Sequence, residues 1–212
     1  EVKNLSVAYD EKIVLQNVNV SVPSGKLTAI IGPNGAGKST FLKAILNQLP
    51  NKKGSVSIAE KRFSPKELIV GYVPQRNAVD WDFPTNALDV VLMGRYGHRG
   101  LFRRIKKEDR QIALSALKSV GMDKFADRSI GKLSGGQQQR VFLARALAQQ
   151  ADIYFLDEPF AGVDATTEKT IIRILKDLKA NGKSIFVVHH DLQTVTDYFD
   201  WTILLNKTIL SS

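Results

Sequence analysis

From Val2 to Tyr9, and again from Ile13 to Val22, apolar and polar positions partly alternate, with the polar triplet Asp10-Glu11-Lys12 between them. A period of two places alternate side chains on one face, so the pair is expected as an antiparallel hairpin with one buried side. Pro23-Ser24-Gly25 then turns the chain into LTAII, Leu27 to Ile31, a short apolar run suited to a buried strand. FLKAIL, Phe41 to Leu46, follows as a first helix. Asn51 to Gly54 breaks the pattern before two short strands, Ser55 to Ile58 and Ile69 to Val73, the second ending at Pro74-Gln75.

Between Arg76 and Lys132 the character changes. Aromatic and glycine residues cluster in WDFPTNALDVVLMGRYGHRG, and a helical period then runs from Glu108 to Val120. Ala113, Leu117 and Val120, with Leu114 and Ala116 beside them, form its apolar stripe, and Gly121 is placed to end it. Residues 76–132 are therefore expected as a helical insert. From Leu133 helix and strand alternate: helix Gly136 to Ala148, strand Ile153 to Leu156, helix Thr167 to Lys179, strand Ser184 to Val188. A last hairpin, WTILLNKTIL, turns at Asn206-Lys207. Strands that are apolar throughout and alternate with helices argue for a mostly parallel sheet covered on both faces. The expectation is one α/β domain over residues 1–212, with 1–75 and 133–212 as its core and an N-terminal antiparallel β subdomain.

Composition narrows the partners only slightly. A net charge of +9 on 212 residues permits nucleic acid, an anionic membrane surface or a phosphorylated ligand, and selects none of them. The chain has no cysteine, which removes disulfides and thiolate metal sites, and its three histidines, His98, His189 and His190, are badly spaced for zinc. No apolar run approaches the ~20 residues that span a bilayer, so the chain is expected to be soluble by itself.

The chemistry gathers at GPNGAGKST, Gly32 to Thr40, which fits G-x-x-x-x-G-K-[ST] and lies between the LTAII strand and the first helix. Gly32, Gly35 and Gly37, spaced by Pro33, Asn34 and Ala36, leave room for backbone N–H groups to turn inward around phosphate oxygens, at the positive end of a helix. Lys38 would then reach the β- and γ-phosphates, and Ser39, followed by Thr40, would ligate Mg²⁺. The strand IYFL delivers Asp157 and Glu158 at its C-terminal end, where ligands of open α/β sheets bind. Neighbouring strand residues point opposite ways. Asp157 is expected to hold Mg²⁺, and Glu158 to orient and deprotonate an attacking water. A second glycine-containing helix start, LSGGQQQR from Leu133 to Arg140, offers the Ser134 hydroxyl and the N–H groups of Gly135 and Gly136 to an anion; it reads equally as a plain serine cap.

Taken in order, GPNGAGKST, Gln75, LSGGQ, Asp157-Glu158, Asp164 and His190-Asp191 resemble the ATP-binding subunit of an ABC transporter, over nearly the whole chain. The resemblance implies a P-loop NTPase core binding ATP and Mg²⁺, with Gln75 near Mg²⁺ and the transmembrane contact and Gln137 closing the LSGGQ motif at the nucleotide. It implies Asp164 as the D-loop acid, His190 at the γ-phosphate and Tyr9 against adenine. His190 is preferred to His189 because the family pattern puts aspartate directly after the histidine. Ala161-Gly162-Val163 departs from the family's usual Ser-Ala-Leu before that acid. EPFAGVD and VPQRNAVDWDFPTNALDVVLMGRYG look like the subgroup that powers manganese and zinc importers, with an importer of another substrate such as an iron chelate, or a non-transport ABC ATPase, as alternatives.

The same resemblance implies a second copy of the chain, head to tail, so that each ATP lies between Gly32 to Thr40 of one copy and Ser134-Gly135-Gly136 of the other. It further implies a transmembrane permease contacted through the insert, a solute-binding protein acting indirectly, no nucleic acid, and a peripheral place on the cytoplasmic face of the membrane. A nucleic-acid-maintenance ATPase would need a long coiled coil between Lys38 and Ser134, for which the chain has no room. The basic stretch Arg95 to Arg110, with Leu101 and Phe102 at its middle, is expected as the permease-docking face, a solvated surface being the alternative.

Overall fold

Alternation becomes a hairpin where it was expected. The computed structural model describes residues 1–10, 12–58, 61–62, 70–99 and 104–211; Glu11, Ile69, Leu101, Phe102 and Arg103 lie outside them. β1 (Val2–Tyr9) pairs antiparallel with β2 (Lys12–Val20), and Leu5, Val7, Leu15 and Val18 turn to the buried side. The chain continues through β3 (Leu27–Ile31), α1 (Lys38–Ile45), β4 (Lys52–Ile58), β5 (Lys61–Arg62) and β6 (Val70–Val73). β4 starts earlier than expected, inside the polar Asn51 to Gly54 break. Lys52 and Lys53 pair with Val7 and Ser6. Pairing to the open edge of β1 uses backbone groups, so side-chain polarity does not prevent it.

α2 (Ala87–Met93), α3 (Tyr96–Arg99) and α4 (Lys107–Ser119) come next. They are followed by α5 (Gly135–Ala148), β7 (Ile153–Asp157), α6 (Ala165–Ala180), β8 (Ser184–Val188), α7 (Val195–Tyr198), β9 (Trp201–Asn206) and β10 (Thr208–Ser211). α2 is capped by Asn86, whose side chain accepts from the Asp89 N–H. On α4, Ala113, Leu117 and Val120 are fully buried as the stripe requires. Leu114, one position round the helix from Ala113, is instead exposed.

Among the described residues two sheets result, an antiparallel one in the order β2-β1-β4-β5 and a larger one in the order β10-β9-β3-β8-β7-β6. The larger is parallel from β9 to β6, and β10 runs antiparallel to β9. This is the expected α/β architecture, an N-terminal antiparallel sheet beside a mostly parallel one with inserted helices. One apolar core lies between the larger sheet and α2, α4, α5 and α6, the other between its opposite face, α1 and the smaller sheet. Each fully buried Leu, Ile or Phe in them contributes about 1.5–3 kcal/mol. The topology brings the C-terminal ends of β3, β7 and β8 together on one rim.

The expected basic docking face needs correction at Arg95. Its side chain is buried: Nε donates to Asp109 Oδ1 at 3.1 Å, and Nη1 donates to the Ala148 carbonyl at 2.6 Å and to Gln150 Oε1 at 3.0 Å. The cation thus sits at the negative end of α5 and joins the end of α2 to α4, rather than facing a partner. Asp109 also accepts from the Lys106 N–H, capping α4. Arg104, Lys106, Lys107 and Arg110 do remain exposed. Arg95→Ala should destabilise the fold by about 3–5 kcal/mol, because it breaks a buried ion pair by removing one partner and also removes the bonds to the Ala148 carbonyl and Gln150. Urea unfolding measures this, and a loss confined to a few tenths of a kcal/mol would contradict the structural role.

Candidate active site

The loop between β3 and α1 is shaped by contacts that only glycine permits. At Gly32 a Cβ would run into the Leu205 carbonyl, and at Gly37, with φ of 93°, it would stand 2.8 Å from Leu15 Cδ2. Gly37 is also the N-cap of α1 and brings no side chain to its free N–H groups. The positive end of the helix is left open to an external anion. Lys38, the first helical residue, is nearly buried, and its Nζ donates to the carbonyls of Gly32 at 2.8 Å and Pro33 at 3.0 Å. Burial draws its pKa below the ordinary 10.5, against the opposing pull of Glu158 and Asp157.

Ser39 Oγ donates to Asp157 Oδ1 at 3.1 Å, closing a gap of 118 positions in the chain. Asp157 ends β7 fully enclosed, and burial raises its pKa above the usual carboxylate value, with the Ser39 bond pulling the other way. Glu158 leaves the strand at φ of 54°, a left-handed conformation that is strained for glutamate. Its two oxygens are held separately. Gln75 Nε2 donates to Oε2 at 2.9 Å, and His190 Nε2 lies 2.6 Å from Oε1. Residues far apart in sequence, Gln75, Glu158 and His190, therefore meet on one wall of a cleft of about 830 Å³ that also touches Gly32, Pro33 and Asn34. An adjoining cleft of about 360 Å³ runs along Asn34 to Thr40. Carboxylate, imidazole and amide together can hold and deprotonate a water beside a bound phosphate.

Other expected residues stand elsewhere. Ser134 caps α5: its hydroxyl accepts from the Gln137 N–H at 3.3 Å, while Gln137 Oε1 accepts from the Ser134 N–H at 2.9 Å. Gly135 and Gly136 form the first turn behind it. Asp164 caps α6, its Oδ1 accepting from the Thr167 N–H at 2.8 Å, and such bonds hold its carboxyl below the ordinary value. Tyr9 is exposed at the end of the hairpin and does not line the phosphate cleft, which is walled beside the loop by Lys12, Ile13 and Val14. Ile13, half exposed, was not singled out in the sequence; its only signal is an apolar residue directly after a turn. His189 is buried with Nε2 2.8 Å from Thr194 Oγ1, and its ring meets Phe160 edge-on at 5.4 Å.

An ABC transporter family model matches residues 15–161. The chain belongs to the ABC transporter family. It is an ATP-binding subunit and an ATPase of that family. It is 60% identical over 206 residues to the manganese transport system ATP-binding protein MntB of Bacillus subtilis (strain 168), covering 97% of this chain and 82% of that one. To the zinc transport system ATP-binding protein TroB of Treponema pallidum (strain Nichols) it is 56% identical over 211 residues, covering 100% and 79%. Its fold superposes on the dimeric structure of a bacterial ABC transporter cassette with a TM-score of 0.85 at 32% identity, over 99% of this chain and 96% of the other.

His189 gives the site's neighbourhood a pH dependence. Burial between aromatic rings lowers its pKa from 6.5, with Asp191 and Glu168 opposing, so the unfolded chain takes up its proton first. The stability it contributes is complete above 6.5 and is lost as pH falls from there towards the folded value. Thermal unfolding midpoints taken at about pH 7 and about pH 5 should fall more for the unaltered chain than for His189→Asn. Equal falls would show that the buried imidazole stays unlinked to stability.

Proposed function

We propose that this ATPase powers import of a divalent metal ion, manganese or zinc, through a membrane permease. The observation that carries its ATPase chemistry is the double hold on Glu158 by Gln75 and His190, one residue after the Asp157 that Ser39 contacts. The metal cargo is supported by the manganese and zinc transport systems to which the relatives named above belong.

Lys38, freed from the Gly32 and Pro33 carbonyls, turns to the β- and γ-phosphates, and the N–H groups from Gly32 to Thr40 surround them. Glu158 takes a proton from the attacking water, Gln75 and His190 orient that carboxylate, and His190 also meets the γ-phosphate. A buried carboxylate facing a hydroxyl is an oxygen-only donor set, so Asp157 and Ser39, with Gln75 alongside, fit Mg²⁺. When bound, Mg²⁺ supplies charge neutralisation at the phosphate oxygens. Tyr9 closes on adenine from the hairpin.

The end of α5, with Ser134, Gly135, Gly136 and Gln137, faces the triphosphate of a second copy, and Asp164 lies at the same interface. The dimeric cassette of matching fold supports this pairing. Residues 1–75 and 133–212 serve as nucleotide-binding core, and 76–132 as the insert that meets the permease, where Phe83, Met93 and Tyr96 are exposed. Among the described residues no helix is long and apolar enough to cross a membrane. The subunit acts peripherally, on the cytoplasmic face, with the permease as its anchor and a solute-binding protein as indirect partner.

Glu158→Gln should keep ATP binding, lower turnover by about two to four powers of ten and accumulate an ATP-bound pair of chains. Near-normal phosphate release by the purified variant would sink the assignment of the base. Lys38→Ala should abolish nucleotide binding or hydrolysis with an unchanged circular-dichroism spectrum; unaltered affinity and turnover would contradict the phosphate-loop reading. For the cargo, uptake of manganese or zinc should disappear in a deletion strain and return with the intact gene but not with the Glu158→Gln gene.

A further inference from the structure

Arg76 follows Gln75 and opens a single helical turn, Arg76–Ala78. Its Nη2 donates to Gln138 Oε1 at 3.2 Å, and Gln138 Nε2 donates onward to the Ile130 carbonyl at 3.2 Å. The same guanidinium covers Gly135, where a Cβ would stand 3.0 Å from its Cζ. The Arg76 carbonyl accepts from Trp81 Nε1 at 2.9 Å, and the Trp81 ring meets Phe142 edge-on with centroids 5.0 Å apart. Gln138 and Phe142 are one turn apart on α5, so the segment after Gln75 grips a single face of that helix through one polar and one aromatic contact.

On its other side the same segment holds Glu158 through Gln75. A continuous line of contacts therefore runs from the carboxylate in a chain's own phosphate cleft to Gly135, at the helix end offered to a second copy. We infer that Arg76 is a positioning residue: it fixes Ser134-Gly135-Gly136 relative to Gln75 and Glu158 of the same chain, so that occupancy of one nucleotide site sets the contact made at the other. This rests on the paired arrangement proposed above. Arginine suits the task because its planar fork bonds Gln138 while lying flat over a residue that lacks a Cβ; the point charge of lysine does neither. Misplacing a group by about 1 Å costs up to about a hundredfold in rate, so a loosened tether should be visible in turnover.

The test uses the whole chain. ATP-driven pairing is first measured by light scattering on Glu158→Gln. Arg76→Ala, Arg76→Lys and Gln138→Met are then compared with the unaltered chain for ATP affinity at dilutions that keep it unpaired, and for the dependence of turnover on ATP. Gln138→Met retains the cation and removes its anchor, which separates tether from charge, and it carries the test with Arg76→Lys if Arg76→Ala does not fold. The expected result is unchanged affinity, turnover lowered about tenfold or more, and a cooperative ATP dependence flattened to a hyperbola in all three variants. Turnover and cooperativity like those of the unaltered chain in Gln138→Met, or in Arg76→Lys, would overturn the inference while leaving pairing intact. A Glu158→Gln chain that stays single in ATP would overturn the pairing, and the inference with it.

Discussion

The start of α1 must leave N–H groups without a side-chain cap, because they are offered to an anion; within the loop the Ala36 N–H turns inward, to the Pro33 carbonyl at 3.1 Å. That requirement propagates outward. The backbone has to approach Leu205 and Leu15 too closely for any side chain at Gly32 or Gly37, and α1 has to begin without a side-chain cap. Exposed donors at a helix end are tolerable only on a rim, and a parallel sheet supplies one, since its strands all deliver their C-terminal ends to the same side. The ladder from β9 to β6 places Asp157 of β7 within reach of Ser39, although β7 and β3 are separated by β8. Those strands are buried on both faces, and the apolar cores of the two faces hold the rim in place.

Glu158 shows how strain and satisfaction are balanced there. A left-handed glutamate costs of order 1–3 kcal/mol and persists only where its surroundings over-determine it. Here Gln75 and His190 each take one carboxylate oxygen, and the Ala161 N–H donates to the Glu158 carbonyl at 3.1 Å. The same contacts that stabilise the conformation keep the carboxylate aimed at the cleft. His190 in turn follows directly on His189, which is fixed by Thr194 and by the rings of Phe160 and Phe199. A residue that the sequence presented as a neighbour without a task is thus part of the frame on which its successor stands.

Much of this was legible in the sequence because it is encoded locally. A period of two gave β1 at its observed limits, apolar runs gave β3, β7 and β8, and the motif spacing gave the phosphate loop and the acid pair. What was not legible depends on partners distant in sequence. The beginning of β4 is set by the free edge of β1, not by its own polar residues. Arg95 reads as one cation of a basic run, yet Asp109 and the carbonyl end of α5 bury it. Arg76 has no local pattern at all, and its role emerges only when α5 is seen to lie against it. A positive net charge is for the same reason a poor guide to partners, since some of the cations serve the interior.

The two glycine-containing helix starts show where sequence alone reaches its limit. Each follows the same rule, small residues ahead of an amphipathic helix, and each offers the positive end of a dipole to an anion. The structure distinguishes them. Gly37 leaves α1 uncapped, next to Lys38, Ser39 and the acid pair, so that end is equipped to hold phosphate within one chain. Ser134 and Gln137 already satisfy one another in a reciprocal cap, and Arg76 lies over Gly135. An anion arriving at α5 must therefore compete with contacts the chain makes by itself, whereas the acid pair Asp157-Glu158 stands with Ser39, Gln75 and His190. A helix end so arranged gains most from a phosphate already fixed elsewhere and brought up as part of a larger surface. That is the physical reason the second motif makes sense in a pair of chains and reads as an ordinary serine cap in one.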